Sequence, residues 1–263
     1  MQNSAYNNPC SKNGAGEKKL ARRGQAAPGV KKSLMELSDR MGDLGKIPLF
    51  SGLTARQLDW LRNRLYARAF PANQEVMVTG SPGDLVYIIL SGTVKIYVPQ
   101  LDGEDVIVAI LGPGDPVGEM SLIDRTNRSA SVITLETTSM LWMNPLDFKA
   151  AMESMPVLAQ NMMRILSSRL RASSGQIQAL AALDVSGRVV RQLLTYADRY
   201  GQPCSLGIEI PIRLTQNDLA ALVGASRKRV NQAIVELKRA GYISIDHLYH
   251  ITLHDRAALE KLA

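Results

Sequence analysis

Seven positions constrain this chain more than any others. Ala159, Met163, Leu166, Leu170, Ser173, Ile177 and Leu180 recur at alternating spacings of four and three. On an α-helix that alternation gathers side chains into one narrow stripe, the seam along which two helices pair. Pro156 marks the expected start, since proline is tolerated in a helix only in its first turn. Asp184 falls on the next seam position and suits a cap, so the long helix is expected over 156–183. A second helix then runs from Val185 to about Tyr200. A seam sustained over about three heptads predicts self-pairing, and hence a homodimer. Ser173 is its one polar break, which costs stability unless something satisfies the hydroxyl.

The segment before the seam has a different texture. Short β-branched runs at Val76–Thr79, Leu85–Leu90, Thr93–Val98, Asp105–Leu111, Ala130–Thr134 and Ser139–Met143 are separated by glycine turns. Ser81-Pro82-Gly83-Asp84 recurs in outline as Gly112-Pro113-Gly114-Asp115. Proline presets one central φ of such a turn, and glycine supplies the positive φ of the next. Short strands spaced by turns read as an antiparallel roll. Ahead of them, Thr54 suits the cap of a helix whose inner face carries Leu58, Leu61 and Leu65.

Charge is unevenly spread along the 263 residues, with 31 Lys and Arg against 24 Asp and Glu. Residues 1–33 hold seven bases against one acid and no sustained apolar period, which reads as a disordered basic tail. The middle is near neutral, and 205–263 is mildly basic, a pattern suited to a polyanion partner. The longest apolar runs, Leu85–Leu90 and Val106–Leu111, are six residues, against the ~20 that a membrane span needs. Met1–Cys10 has no apolar stretch of the secretory kind, and two cysteines, Cys10 and Cys204, make no disulfide framework. These features predict a cytoplasmic protein with no membrane contact.

Downstream, residues 214–239 read as two helices joined by a tight turn. Thr215 caps the first, with Asp218 three residues on as a variant capping box. Gly224 permits the left-handed turn, and Ser226 caps the second helix, whose buried stripe is Val230, Ile234 and Leu237. Arg227, Lys228, Arg229, Asn231 and Gln232 fall near the start of that helix and mostly off the stripe. The N-terminal part of a recognition helix is what meets base edges in the major groove. Ile243–Ile245 and Tyr249–Thr252 read as the hairpin of a wing.

Three separated stretches, in order, resemble the Crp/Fnr family of bacterial regulators, in particular its cAMP receptor branch. They are Gly118-Glu119-Met120-Ser121 with Arg128-Ser129-Ala130, then Leu183-Asp184-Val185-Ser186-Gly187-Arg188, then the helix-turn-helix. The resemblance covers about residues 45–255. It implies an α+β protein: a cyclic-nucleotide-binding β-roll (jelly roll) over 34–155, a dimerisation helix over 156–183, and a winged helix-turn-helix over 184–263. It implies a cAMP-dependent transcription regulator, commonly an activator, that binds double-stranded DNA and contacts RNA polymerase. Such a protein is bacterial, and nucleoid-associated when on DNA.

Carried over residue by residue, the cyclic-nucleotide pocket falls on Gly118, Glu119, Arg128 and Ser129. A guanidinium fork suits phosphate oxygens, and a carboxylate suits a ribose hydroxyl. The hydroxyls that meet the purine from the dimer helices match Ser173 and Ser174. Base contacts fall on Arg227, Lys228 and Gln232, and backbone contacts on Asn217, Ser226 and Arg229. A two-fold dimer implies a roughly palindromic site. Lys228 stands where the family has glutamate, and Gln232 where it has arginine, so the site should depart from the usual TGTGA half-site. Cyclic di-GMP, or no small molecule, is the alternative effector. A nucleotide-binding module that docks a protein partner is the alternative function.

Other sensors fit less well. An iron–sulfur sensor needs about four cysteines. His247, His250 and His254 all lie in the DNA-binding unit, away from any sensor, so neither haem nor another metal is expected. No Ser-His-Asp or Cys-His arrangement is recognisable, and an enzyme is not expected.

Overall fold

The computed structural model describes residues 41–100 and 105–263. The basic segment 1–33 lies outside them. Two short 3-10 turns, Met41–Lys46 and Pro48–Phe50, lead into α1 (Ala55–Arg62). Thr54 caps that helix reciprocally with Gln57. Leu61 is buried and Leu58 half-buried on its inner face, but the helix ends at Arg62, so Leu65, also buried, lies beyond it.

Eight strands follow: β1 (Tyr66–Phe70), β2 (Glu75–Met77), β3 (Val86–Ser91), β4 (Val94–Pro99), β5 (Asp105–Leu111), β6 (Pro116–Val117), β7 (Ser131–Thr134) and β8 (Thr138–Met143). They form two antiparallel sheets, β1-β8-β3-β6 and β2-β7-β4-β5. Between the sheets lies an apolar layer that includes Phe70, Met77, Tyr87, Ile89, Val94 and Met140. Sequence reading anticipated six of these strands. It missed β1, whose Tyr-Ala-Arg-Ala-Phe has one buried side chain, and the two-residue β6.

Between β6 and β7 runs α2 (Met120–Ile123), a single turn of helix. After β8 come α3 (Pro145–Ser154) and α4 (Pro156–Ala182), the long helix expected from the seam. One face of α4 packs on its own β-roll through Leu158 and Met162, and the Asn161 amide donates to the Leu49 and Ser51 carbonyls. Much of the seam face is bare, with Met163 59%, Leu170 69% and Ile177 68% exposed, while Leu166 is half-buried against the core of its own roll. The helix breaks at Leu183, whose backbone is extended (φ −108°, ψ 149°). Asp184 then accepts from Gly187 N–H at 2.8 Å and starts α5 (Val185–Tyr200).

The C-terminal unit holds β9 (Gln202–Cys204), β10 (Gly207–Ile210), α6 (Gln216–Leu222), α7 (Arg227–Arg239), β11 (Ile243–Ile245), β12 (Ile251–Leu253) and α8 (Arg256–Glu260). Its sheet has the order β11-β12-β10-β9. Two expectations are corrected here. Residues 201–207 read as a loop, yet Gln202–Cys204 pairs with β10 as an edge strand, where Pro203 breaks no ladder. The second wing strand starts at Ile251, not Tyr249, because Tyr249 sits at φ 66° in the turn. This unit does not stand apart. Ile107, Ile110 and Leu135 of the roll share one apolar core with Val189, Leu193, Ile210 and Ile212. Arg213 ties the two further, donating from Nη1 to the Leu135 carbonyl at 2.9 Å. Among the described residues, no helix is long and apolar enough to cross a membrane.

Candidate effector pocket and nucleic-acid interface

Gly118 and Arg128 are brought into direct contact. Arg128 Nη1 donates to the Gly118 carbonyl at 2.7 Å and to Ser121 Oγ at 2.8 Å. Its Nη2 donates to the Leu85 carbonyl at 2.6 Å and to Asp84 Oδ1 at 3.2 Å. Gly118 has φ +80°, and a Cβ there would lie 2.5 Å from both Arg128 Nη1 and Met77 Cε. A side chain at 118 is therefore barred twice, by conformation and by space. The guanidinium is 3% exposed, whereas its ion-pair partner Asp84 is 79% exposed. Asp84 is thus the partner an incoming anion could most readily displace. Beside it opens a cavity of about 320 Å³ lined by Met77, Val78, Ser81, Pro82, Asp84 and Arg128. That is the size of a small-ligand site.

Glu119 turns the other way. It is 2% exposed and accepts from Arg169 Nη1 of α4 at 2.7 Å. Burial pushes its carboxyl above the ordinary carboxylate value, against the pull of Arg169. The two charged residues of the motif do not pair with each other: Glu119 pairs with Arg169, and Arg128 with Asp84.

Ser129 is exposed at the edge of this loop, and Ser173 and Ser174 are exposed on α4. Ser173 lies four residues beyond Arg169, hence one turn along the same face. Sequence reasoning missed Arg169. The signal was available: a cation one turn before the polar break in an apolar stripe.

At the other end of the molecule, Thr215 and Asp218 form the reciprocal capping box at the start of α6. Gly224 adopts φ +59° in the turn, and Ser226 accepts from Arg229 N–H at 3.4 Å to cap α7. Val230, Ala233, Ile234 and Leu237 are buried. Arg227, Lys228, Arg229, Asn231 and Gln232 are exposed along the start of α7, with Asn217 and Ser226 exposed nearby. Within the wing, Asp246 accepts from the backbone N–H groups of Leu248 and His250, which fixes the turn. His250 Nδ1 lies 3.3 Å from Asp246 and 3.8 Å from Glu209.

A two-sheet roll carrying a glycine–arginine loop, joined by a seam helix to a winged helix-turn-helix, defines a sensor coupled to a DNA reader. Two family descriptions match the two halves: a cyclic nucleotide-binding domain over 67–155 and a Crp-like helix-turn-helix domain over 187–262. The chain is 33% identical over 203 residues to a CRP-like cAMP-activated global transcriptional regulator of Mycobacterium tuberculosis, covering 77% of this chain and 91% of that one. In fold it is similar to FixK2 of Bradyrhizobium japonicum, with TM-score 0.66 and 20% identity over 75% of this chain and 96% of that one. It is similar also to the c-di-GMP responsive global regulator CLP of Xanthomonas campestris, with TM-score 0.60 and 23% identity over 77% and 100%. The chain belongs to the Crp/Fnr family of transcription regulators.

Proposed function

We propose that this protein is a homodimeric, cAMP-responsive regulator of transcription that acts in the cytoplasm, bound to the nucleoid when on DNA, and activates RNA polymerase at its target promoters. The observation that carries the effector reading is the Gly118–Arg128 contact: a buried guanidinium beside an open cavity, with an exposed carboxylate as its displaceable partner. Arg128, with Ser129, takes the cyclic phosphate, and Glu119 gives up part of its pair with Arg169 to accept from the ribose hydroxyl. Ser173 and Ser174 meet the purine from the seam, where the partner helix lies close. Similarity to a cAMP-activated relative supports cAMP over other nucleotides. Calorimetry with cAMP, cGMP and cyclic di-GMP tests this. Saturable binding of cAMP alone is the expected result, and preference for cyclic di-GMP overturns it.

On DNA, the dimer reads a roughly palindromic site with half-sites about one helical turn apart. Arg227 bonds guanine, Lys228 favours guanine where an acidic residue would favour cytosine, and Gln232 favours adenine. Asn217, Ser226 and Arg229 hold the phosphate backbone and set the register. Selection from a random duplex pool checks the reading. Recovery of an unaltered TGTGA palindrome would show that Lys228 and Gln232 do not read bases.

A further inference from the structure

The turn that closes β5 carries a buried carboxylate. Asp115 is 8% exposed in its side chain. It accepts from the Arg199 guanidinium and the Tyr200 hydroxyl, both at the end of α5. It also accepts from Gly112 N–H at 3.2 Å. Burial, then the neighbouring Asp115 charge, raises the Tyr200 phenol well above its usual pKa, so it remains a donor. The surfaces meet tightly here: a Cβ on Gly112 would lie 2.5 Å from Ile212 Cγ2.

Arg169 stands between this clasp and the pocket. Its Nη1 holds Glu119 at 2.7 Å, while its Nη2 lies 3.6 Å from Asp115 and donates to the Pro116 carbonyl at 2.6 Å. Its Nε is buried without a hydrogen-bond partner. Two carboxylates and two guanidiniums therefore alternate, Glu119, Arg169, Asp115, Arg199, from the pocket across α4 to α5. In such a chain the strength of each pair depends on the next. Whatever weakens the hold of Glu119 on Arg169 frees that guanidinium for Asp115, in competition with Arg199.

We infer that Asp115 and Arg169 are positioning residues that relay the occupancy of Glu119 to Arg199 and Tyr200, which clasp the DNA-binding unit to the β-roll. The identity of the effector rests on the function proposed above; the mechanical link does not.

The first test needs no effector. Amide hydrogen exchange is followed at Gly112 and in the last turn of α5, in the wild type and in Glu119→Gln. That substitution touches neither Gly112 nor α5, yet the relay expects exchange at both to accelerate at least about fivefold, the lower end of ordinary allosteric coupling. Exchange in β1, separated from β3 and the Asp115 turn by β8, serves as the control for global loosening. Unchanged exchange at Gly112 and α5, or equal acceleration in β1, overturns the relay.

The second test measures cAMP affinity with and without DNA in the wild type and in Arg199→Gln and Arg199→Lys. The relay expects the ratio of the two affinities to fall toward one in Arg199→Gln and to recover partly in Arg199→Lys. A clasp that only stabilises the fold would lower the melting temperature and leave that ratio intact, which overturns the relay. If wild-type cAMP binding is itself absent while Glu119→Gln still loosens α5, the effector assignment falls and the relay stands.

Discussion

Leu180, near the end of the long helix, is seated against Gly224, the turn glycine of the DNA reader: a Cβ on Gly224 would lie 3.2 Å from Leu180 Cδ2. Beside that contact, Gln176 Nε2 donates to the Leu222 carbonyl at 2.6 Å. The seam helix thus braces the turn that aims α7. Gly224→Ala places a side chain at φ +59° and against Leu180, so it should destabilise the fold by about 1–2 kcal/mol. Urea unfolding gives the number. An alanine variant as stable as the wild type would show that neither strain nor contact matters at this turn.

The bare stripe of α4 predicts the second outcome. Leu170 is 69% and Ile177 68% exposed, two steps apart on the same seam. Converting both to glutamate places like charges where two helices are expected to meet, and the protein should sediment as a monomer with its β-roll intact. A double variant that still sediments as a dimer sinks the seam assignment.

Arg128→Ala should weaken cAMP binding roughly tenfold to over a hundredfold, since a charge-assisted bond is worth ~1.5–3 kcal/mol. The same change leaves the Gly118 and Leu85 carbonyls without this donor, so stability should fall as well. Arg128→Lys separates the two effects: it keeps the charge but cannot span acceptors on both sides of the fork. Equal cAMP affinity in all three proteins, measured by calorimetry, would remove Arg128 from the pocket.

Glu119 predicts a pH dependence. Its folded pKa is raised above the ordinary 4.5 by burial. The folded protein therefore keeps a proton that the unfolded chain releases. The stability this group contributes is complete below about pH 4.5 and is lost as pH rises through the raised value. Glu119→Gln cannot titrate, so it should flatten the fall in stability over that window, whatever the offset from losing the Arg169 pair. Denaturation midpoints at a series of pH values check the slope. Identical slopes for the two proteins would assign the titration elsewhere.

Local signals carried most of the architecture into the sequence. The caps at Thr54, Asp184, Thr215 and Ser226 act on the next three residues, and all four form as read. The seam is likewise a property of one helix. Strand β9 was hidden because its three residues are all exposed and owe their conformation to pairing with β10. The pocket was half legible. Gly118, Glu119 and Arg128 lie within eleven consecutive residues, whereas Arg169 reaches Glu119 from 50 residues away. No periodicity reports a contact between elements so far apart in sequence. The same holds for Asp115, which reads as a turn residue until Arg199 and Tyr200 fold onto it.

Ile107, Ile110 and Leu135 set a limit on how this protein can be taken apart. They belong by sequence to the roll but pack in the apolar core of the winged unit. A fragment cut at Asp184 would carry its reading helix intact and expose the surface those three side chains cover. Grafting the C-terminal unit onto a related roll would meet the same problem from the other side. A functional chimera should therefore need matched residues at 107, 110 and 135, and the boundary of heritable exchange between such proteins should run through the sheet rather than through the helix break at Leu183.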